Sequence, residues 1–415
     1  KNLAAIKRSL LDRLLDSRAR ASVVATMPAV EALLDRARQS ADKEVELLTS
    51  PIDLAVEQFR DAVEHQPAAV RKSLQTHTRA LAATCQQSVS RDMRNVQTVP
   101  FDTVIVDEAA RANPLDLMVP LSMAQERIVL VGDHRQLPQL LDESLVPNLS
   151  KRHDESTVST VLNKSMFERL YVKLRECERL DGTKRVITLD RQFRTHPVLG
   201  TFISEQFYEP FGEQLSNGNA DPLAFSHGLE TYGTAACGWI DVPLARGPEQ
   251  AAGTSICRPA EAEVIVRELS SGLRTSEDLT FGVITFYSGQ VTAIWEAMTH
   301  AGLALRQGRA FELNPSIPWL HTGRGLPRVR IGSVDAFQGR AFDVVYLSTT
   351  RSSKPGKRGA NRFGFLVLPN RLCVAMSRQR KLLVAVGDAA QMTSPVGREA
   401  VPALAAFHAL TGGAH

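Results

Sequence analysis

The chain has 415 residues, of which 43% are hydrophobic and 23% charged, a composition typical of folded globular proteins rather than disordered or fibrous ones. This length exceeds what a single hydrophobic core usually serves, so we expect two or three domains. The formal net charge of +4 permits a nucleic-acid partner without requiring one, because the distribution of charge matters more than its sum.

The cysteines, the apolar runs and the N-terminal residues argue against several classes of protein. The five cysteines are scattered and form no Cys-x-x-Cys pair, which argues against a disulfide scaffold or a zinc site. They favour a reducing, intracellular location, which would be cytoplasmic, or nuclear in a eukaryote. No apolar run approaches the roughly 20 residues of a membrane span, and no signal peptide opens the chain. Because Lys1 is not a natural start, we expect a fragment or a processed product.

Residues 1–80 are predicted to be helical. Leucine and isoleucine recur at helical spacing within residues 3–14. In the segment TSPIDLAVEQF, Ser50 at the N-cap and Pro51 at the first position predict a helix start. A helical bundle or stalk is the simpler interpretation, and an arm that contacts a nucleic-acid strand is the alternative.

From about residue 81, short apolar runs alternate with segments of helical composition, which predicts parallel sheets with crossover helices. The runs are nearly continuous in apolar residues, as expected of strands buried on both faces. The apolar runs lie at 102–107, 127–132, 281–286, 343–349 and 382–387, and the helical segments include 161–175 and 260–270. Residues 309–330, rich in proline and glycine, are predicted to form a loop or insertion.

Two neighbouring runs end in acidic residues, at the edge where such sheets bind ligands. Asp107 and Glu108 follow the first run, and Gly132 and Asp133 follow the second. Mg²⁺ takes one or two carboxylates together with water and phosphate oxygens, so a magnesium–nucleotide site is one interpretation. A second acid can orient or deprotonate an attacking water. A surface turn is the simpler interpretation of either pair taken alone.

Gln136, which follows the second strand, is a candidate to contact a terminal phosphate or to hold the attacking water, as glutamines do in other nucleotide hydrolases. Its neighbour His134 has no partner at metal-ligand spacing. Two arginines much later in the chain, Arg194 and Arg378, suit a cleft between two lobes that is complete only when closed. An arginine supplied from a second lobe stabilises the charge that develops in phosphoryl transfer.

The sequence blocks, taken in order, resemble the motifs of superfamily 1 helicases. The blocks are VIVDEAA, VGDHRQLPQ, LDRQFRTHP, FGVITFYSGQ, IGSVDAFQGRAFDVVYL and NRLCVAMSRQR. They are most similar to the branch that contains the nonsense-mediated-decay helicase, senataxin and the Okazaki-fragment nuclease-helicase. The resemblance runs from about Thr84 to Asp388.

The resemblance implies an α/β fold of two RecA-like parallel-sheet lobes of a P-loop nucleoside triphosphatase, the first incomplete, with an N-terminal helical insertion. Residues 1–80 would be this insertion or stalk. Residues 81–190 would be the C-terminal part of the first lobe with motifs II and III, and 191–410 the second lobe with motifs IV to VI.

Carried over position by position, the resemblance implies an ATP and Mg²⁺ site. Asp107 would bind Mg²⁺, Glu108 would act as the base, and Gln136 would face the γ-phosphate. The remaining matches are the arginine fingers Arg194 and Arg378, the adenine-stacking position Phe193, and the motif V residues Gln338 and Gly339.

The resemblance also implies a single strand of DNA or RNA that lies across both lobes, and no membrane partner. Thr84, Thr285 and Tyr287 are predicted to contact this strand, and Tyr287 would do so by stacking on a base. The neighbouring Phe286 is a second candidate for stacking, and ordinary packing is at least as good an interpretation of both rings.

The chain departs from the family pattern in several places. The phosphate-binding segment GxxxxGK[ST] does not occur in it, which we attribute to truncation before Lys1, with a degenerate ATPase as the alternative. Ala341 and Cys373 stand where the family usually has glutamate and asparagine, and Gln139 replaces a second proline. Ala341 cannot reach the nucleotide sugar as a glutamate would.

The sequence therefore predicts an ATP-dependent helicase or translocase that moves toward the 3′ end of a single strand, with this chain alone weak or inactive. A catalytically inactive nucleic-acid clamp or scaffold of the same fold is the alternative. A metal phosphohydrolase that uses Asp107, Asp133 and His134 is a third hypothesis, and it leaves both arginines unexplained.

Overall fold

The structure, a computed structural model, describes residues 51–91, 101–137, 164–354 and 359–412, with a few isolated positions outside these ranges. The chain forms two compact units, Lys1–Val99 and Pro100–His415. The described helices are α1 Pro51–His65, α2 Pro67–His77, α3 Pro114–Leu121, α4 Met166–Asp181, α5 Pro197–Ile203, α6 Pro259–Thr275, α7 Ser288–His300, α8 Pro369–Ala375, α9 Ala389–Thr393, α10 Pro395–Ala400 and α11 Pro402–Leu410. None of these combines the length and the apolar composition that crossing a bilayer requires.

The described strands all belong to the second unit. They are β1 Phe101–Val106, β2 Ala124–Leu130, β3 Arg191–Gln192, β4 Ser216–Asn217, β5 Cys237–Asp241, β6 Gln250–Ala252, β7 Ser255–Cys257, β8 Phe281–Thr285, β9 Ala304–Gln307, β10 Ala310–Leu313, β11 Val329–Ser333, β12 Phe342–Ser348 and β13 Gln379–Gly387.

The described part of the first unit is mainly helical, as predicted. Helix α1 begins at Pro51 and has Asp53 in its first turn and His65 in its last, an arrangement that suits the helix dipole. Its apolar side chains, among them Phe59, are exposed. The predicted cap Ser50 and residues 3–14 lie outside the described residues.

Strands β1 and β2 pair in parallel, with Val104 opposite Ile128 and Val106 opposite Leu130. Helix α3 covers this pair through Leu117, which is fully buried. Asn113 caps α3 by accepting a hydrogen bond from the Leu115 N–H. The two strands therefore end side by side, each followed by one of the acidic turns seen in the sequence.

The larger sheet has five parallel strands in the order β11-β8-β12-β13-β5. Along β12, Val344 and Tyr346 belong to one hydrophobic cluster, whereas Val345 and Leu347 belong to another. Helices α6 and α7 contribute buried side chains to the cluster that contains Val344. Helices α5, α8 and α11 contribute to the cluster that contains Val345. Helices on both faces of a parallel sheet form a three-layer α/β arrangement, which confirms the predicted class.

Each predicted strand is present within a few residues of its expected position, but two strands of the large sheet escaped prediction. Strand β5, CGWID, is short, and β11, VRIGS, is interrupted by Arg330 and Gly332, so neither gives a continuous apolar run. Residues 309–330 are also not purely a loop, because β10 pairs antiparallel with β9 and β11 begins at Val329.

Candidate nucleotide site

The two acidic turns lie in direct backbone contact. The Val131 N–H donates to the Val106 carbonyl at 2.8 Å, and the Ala109 N–H donates to the Val131 carbonyl at 2.8 Å. A β-carbon added at Gly132 would come within 2.9 Å of the Ala110 backbone nitrogen. A glycine follows the second strand because the first turn leaves no room for a side chain there.

Glu108 has a positive φ of 53°, an uncommon conformation for a residue other than glycine. Its N–H donates to Asp107 Oδ1 at 2.9 Å, and both carboxylates are exposed. Strained backbone of this kind clusters at functional sites. The turn therefore presents two acids at the carboxyl end of β1, as the sequence predicted.

Glu108 is hydrogen-bonded to motif V. Gln338 Nε2 donates to Glu108 Oε2 at 3.0 Å, and Gln338 Oε1 accepts from Arg111 Nη1 at 2.7 Å. Gly339 follows with a φ of +71°, which would strain any other residue. The structure thus brings together two predicted groups, and Arg111, which the sequence analysis did not select, orients the amide between them.

The Gln136 amide lies between a carboxylate and a guanidinium. Its Nε2 donates to Asp133 Oδ2 at 2.8 Å, while its Oε1 accepts from Arg378 Nη2 at 3.3 Å. Gln136 of the block VGDHRQLPQ (motif III) and Arg378 of the block NRLCVAMSRQR (motif VI) therefore meet, although they are far apart in sequence.

Arg378 is only 2% exposed. Its guanidinium donates to the Val374 carbonyl at 3.1 Å and to Ser377 Oγ at 2.7 Å. Burial lowers the pKa of Arg378, and the charge of Arg194 lowers it further, while Glu108 acts in the opposite direction. Among the described residues, no carboxylate forms an ion pair with the guanidinium of Arg378 or with that of Arg194. A buried cation beside a second cation favours an anion between them.

Phe193 is 66% exposed, which is unusual for a large aromatic ring. One side of the ring lies against Gly218, where an added β-carbon would overlap the ring atoms. The Gly218 N–H donates to the Gln192 carbonyl at 2.8 Å and fixes this approach. Sequence reasoning missed Gly218, for which the only signal was a turn-like Asn-Gly pair.

The three residues predicted to contact a nucleic-acid strand differ in their location and burial. Thr84 lies in the first unit, where its Oγ1 accepts from the Gln87 N–H at 3.2 Å. Thr285 is 0% exposed and bonds to Thr350 Oγ1 at 3.0 Å, and Tyr287 is 6% exposed with its hydroxyl accepting from the Phe365 N–H at 3.1 Å. Both side chains are buried and form hydrogen bonds within the protein, so their contact with a nucleic-acid strand stays a prediction.

A metal site of several protein ligands does not form among the described residues, where no three His, Cys, Asp or Glu side chains cluster. His134 instead pairs with Glu213 at 3.4 Å, and Asp133 accepts a hydrogen bond from Tyr208. The exposed carboxylate of Asp107 fits Mg²⁺, since this ion needs only one or two protein carboxylates when phosphate oxygens and water complete its shell.

Comparison with known proteins adds independent findings. Residues 162–390 match a family described as an AAA domain, and residues 4–142 match a second family described in the same words. The regulator of nonsense transcripts 1 homolog of Neurospora crassa is 29% identical over 312 residues, which cover 73% of this chain and 24% of that protein. Helicase sen1 of Schizosaccharomyces pombe is 29% identical over 294 residues, 69% of this chain and 14% of that protein.

The chain therefore spans a quarter or less of the length of these two relatives. Among solved structures, an arterivirus nonstructural protein 10 (helicase) aligns with 72% of this chain and 42% of its own, at 16% identity and a TM-score of 0.29.

Proposed function

Because the chain belongs to the AAA domain family and to the superfamily 1 helicases of the nonsense-mediated-decay and senataxin branch, we propose that it hydrolyses ATP to drive movement on a nucleic acid. One observation carries the proposal: Glu108, Gln136 and Arg378 come from three separate motifs, and hydrogen bonds tie each of them to a residue of another motif. The buried guanidinium of Arg378 pairs with no carboxylate among the described residues, which supports a phosphate as its partner in the proposed complex.

In the proposed reaction Glu108 orients and deprotonates the attacking water, which is the role its exposed carboxylate at the end of β1 permits. Gln338, bonded to the same carboxylate, would fix its direction. Arg194 and Arg378 would stabilise the charge that spreads over the γ-phosphate oxygens. Asp107 would hold Mg²⁺, which neutralises phosphate charge when bound.

Phe193 would hold the adenine ring against its exposed face, since stacking needs one free face and a fixed orientation. Residues 81–190 and 191–410 remain our proposed lobes, with ATP between them. The strand would be single-stranded DNA or RNA, with Thr84 as a proposed contact and movement toward the 3′ end.

The test is ATP hydrolysis by the full-length protein with and without single-stranded RNA and DNA. Glu108→Gln should lower the stimulated kcat by about 100-fold or more, because general-base catalysis contributes roughly that factor. The matched control is Glu126→Gln, an exposed glutamate on β2 that lies outside the site, which should retain wild-type kcat. Stimulated hydrolysis that survives Glu108→Gln would contradict the assignment.

The alternative function, an inactive nucleic-acid clamp or scaffold, is supported by Ala341, which removes the family's contact to the nucleotide sugar. It predicts binding of single strands with an affinity that ATP does not change, and no stimulated hydrolysis by the wild type. The same assay therefore separates the two proposals.

A further inference from the structure

The loop after β2, residues 133–136, is held by a segment from elsewhere in the chain, residues 204–213. Tyr208 hydroxyl donates to Asp133 Oδ2 at 2.5 Å, the same oxygen that accepts from Gln136 Nε2 at 2.8 Å. The other oxygen, Oδ1, accepts from the Arg135 N–H at 2.9 Å. Asp133 thus bonds Gln136 from within the loop and Tyr208 from outside it.

The neighbouring side chains of the loop bind the same segment. Arg135 forms a two-pronged contact with Glu213 at 3.0 and 3.2 Å, and its guanidinium lies 3.7 Å from the centre of the Phe211 ring. His134 Nε2 lies 3.4 Å from Glu213 Oε1. Paired, partly buried contacts of this kind have geometric specificity, so they fix the position of the loop backbone.

Tyr208 reaches the loop because α5 continues into a π-helical turn, Ser204–Tyr208. Such turns are rare and often occur at functional sites. Its hydroxyl lies 3.9 Å from Cys373 Sγ on α8, close to the motif that carries Arg378. Burial raises the pKa of Tyr208, so its hydroxyl remains a proton donor at neutral pH.

The orientation of the Gln136 amide follows from these bonds. Its Nε2 faces a carboxylate that cannot donate, and its Oε1 faces a guanidinium that cannot accept. A flipped amide would set donor against donor and acceptor against acceptor. Asp133 fixes the Nε2 end of the amide, and the Tyr208 hydroxyl donates to Asp133 from outside the loop.

We propose that Tyr208 is a positioning residue for ATP hydrolysis, which fixes Asp133 and thereby keeps Gln136 beside Arg378. The inference rests on the proposed function and adds a residue that lies outside every motif used to derive it. It explains why the motif III loop is held by residues 204–213 of the second half of the chain.

The test is Tyr208→Phe in the full-length protein, a change that removes one hydroxyl and keeps the ring. We expect kcat for ATP to fall about tenfold with little change in KM, because a hydrogen bond to a charged group is lost and substrate binding is untouched. The matched control is Tyr232→Phe, whose hydroxyl donates to Glu268 at 3.3 Å in another part of the second unit. This control should keep wild-type kcat.

A double-mutant cycle distinguishes positioning from general structural support. In a Gln136→Ala background, Tyr208→Phe should lower kcat no further, because its effect passes through Gln136. Asp133→Asn should lower kcat by a similar factor and should also be non-additive with Tyr208→Phe. Wild-type kcat in Tyr208→Phe, or an equal loss in both backgrounds, would overturn the inference while the proposed function stands. A wild type without ATP hydrolysis would instead overturn the proposed function.

Discussion

At the scale of single residues, the site depends on glycines as much as on charged groups. Gly132 lets the turn after β2 contact the turn after β1, and Gly339 takes a left-handed conformation beside Glu108. Gly218 lets the Phe193 ring pack directly against the backbone. Each of these has a distinct reason for lacking a β-carbon. The acids and arginines could be selected from sequence, because their chemistry suits phosphate. Gly218 could not, since the contact it permits exists only in the folded chain.

The contact between Gly218 and the Phe193 ring leads to a prediction about the KM for ATP. Gly218→Val should displace the Phe193 ring and raise KM for ATP up to about tenfold with kcat nearly unchanged, since aromatic stacking contributes about 0.5–1.5 kcal/mol. Steady-state kinetics over a range of ATP concentrations measures both constants. Gly323→Val is the control, because a β-carbon there meets no neighbouring atom within 4 Å. An unchanged KM in Gly218→Val would show that Phe193 does not bind the base.

At the scale of elements, a buried polar network joins the start of α6 to the end of β12. Arg258 and Glu261 are both 0% exposed and pair at 3.0 Å. Arg258 Nη2 also donates to the Val242 carbonyl at 2.7 Å, and Glu261 Oε2 accepts from the Thr350 N–H at 2.8 Å. Thr350 has a φ of +63°, so this network holds a strained residue two positions after the end of the strand.

Breaking this pair should cost stability rather than catalysis. Glu261→Gln leaves the Arg258 charge buried without its counter-charge, and the free energy of unfolding should fall by about 3–5 kcal/mol. Urea unfolding followed by circular dichroism measures the difference. Glu263→Gln, two residues away on the exposed side of the same helix, is the control and should change stability little. Equal stabilities of the two variants would show that the buried pair is not structural.

At the scale of the whole molecule, the sequence predicted the α/β class because short apolar runs such as LLVAV and VVYL alternate with segments of helical composition. It failed for β5 and β11, where charged or glycine residues break the apolar pattern and only neighbouring strands specify the conformation. The link from Tyr208 to Asp133 was likewise invisible, because a pairing between distant residues leaves no local periodicity. The burial of Thr285 and Tyr287 was not predictable either, because a polar side chain at a strand end has the same sequence signal whether it is exposed or buried.

The central claim is that Glu108 and Arg378 face one nucleotide. It is tested most directly by a crystal structure of the full-length protein with Mg²⁺ and a non-hydrolysable ATP analogue. We predict that the terminal phosphate lies within hydrogen-bonding distance of Arg378 and Gln136, with a water between it and Glu108. A nucleotide bound elsewhere, with Arg378 still bonded only to Gln136, Ser377 and Val374, would contradict the account.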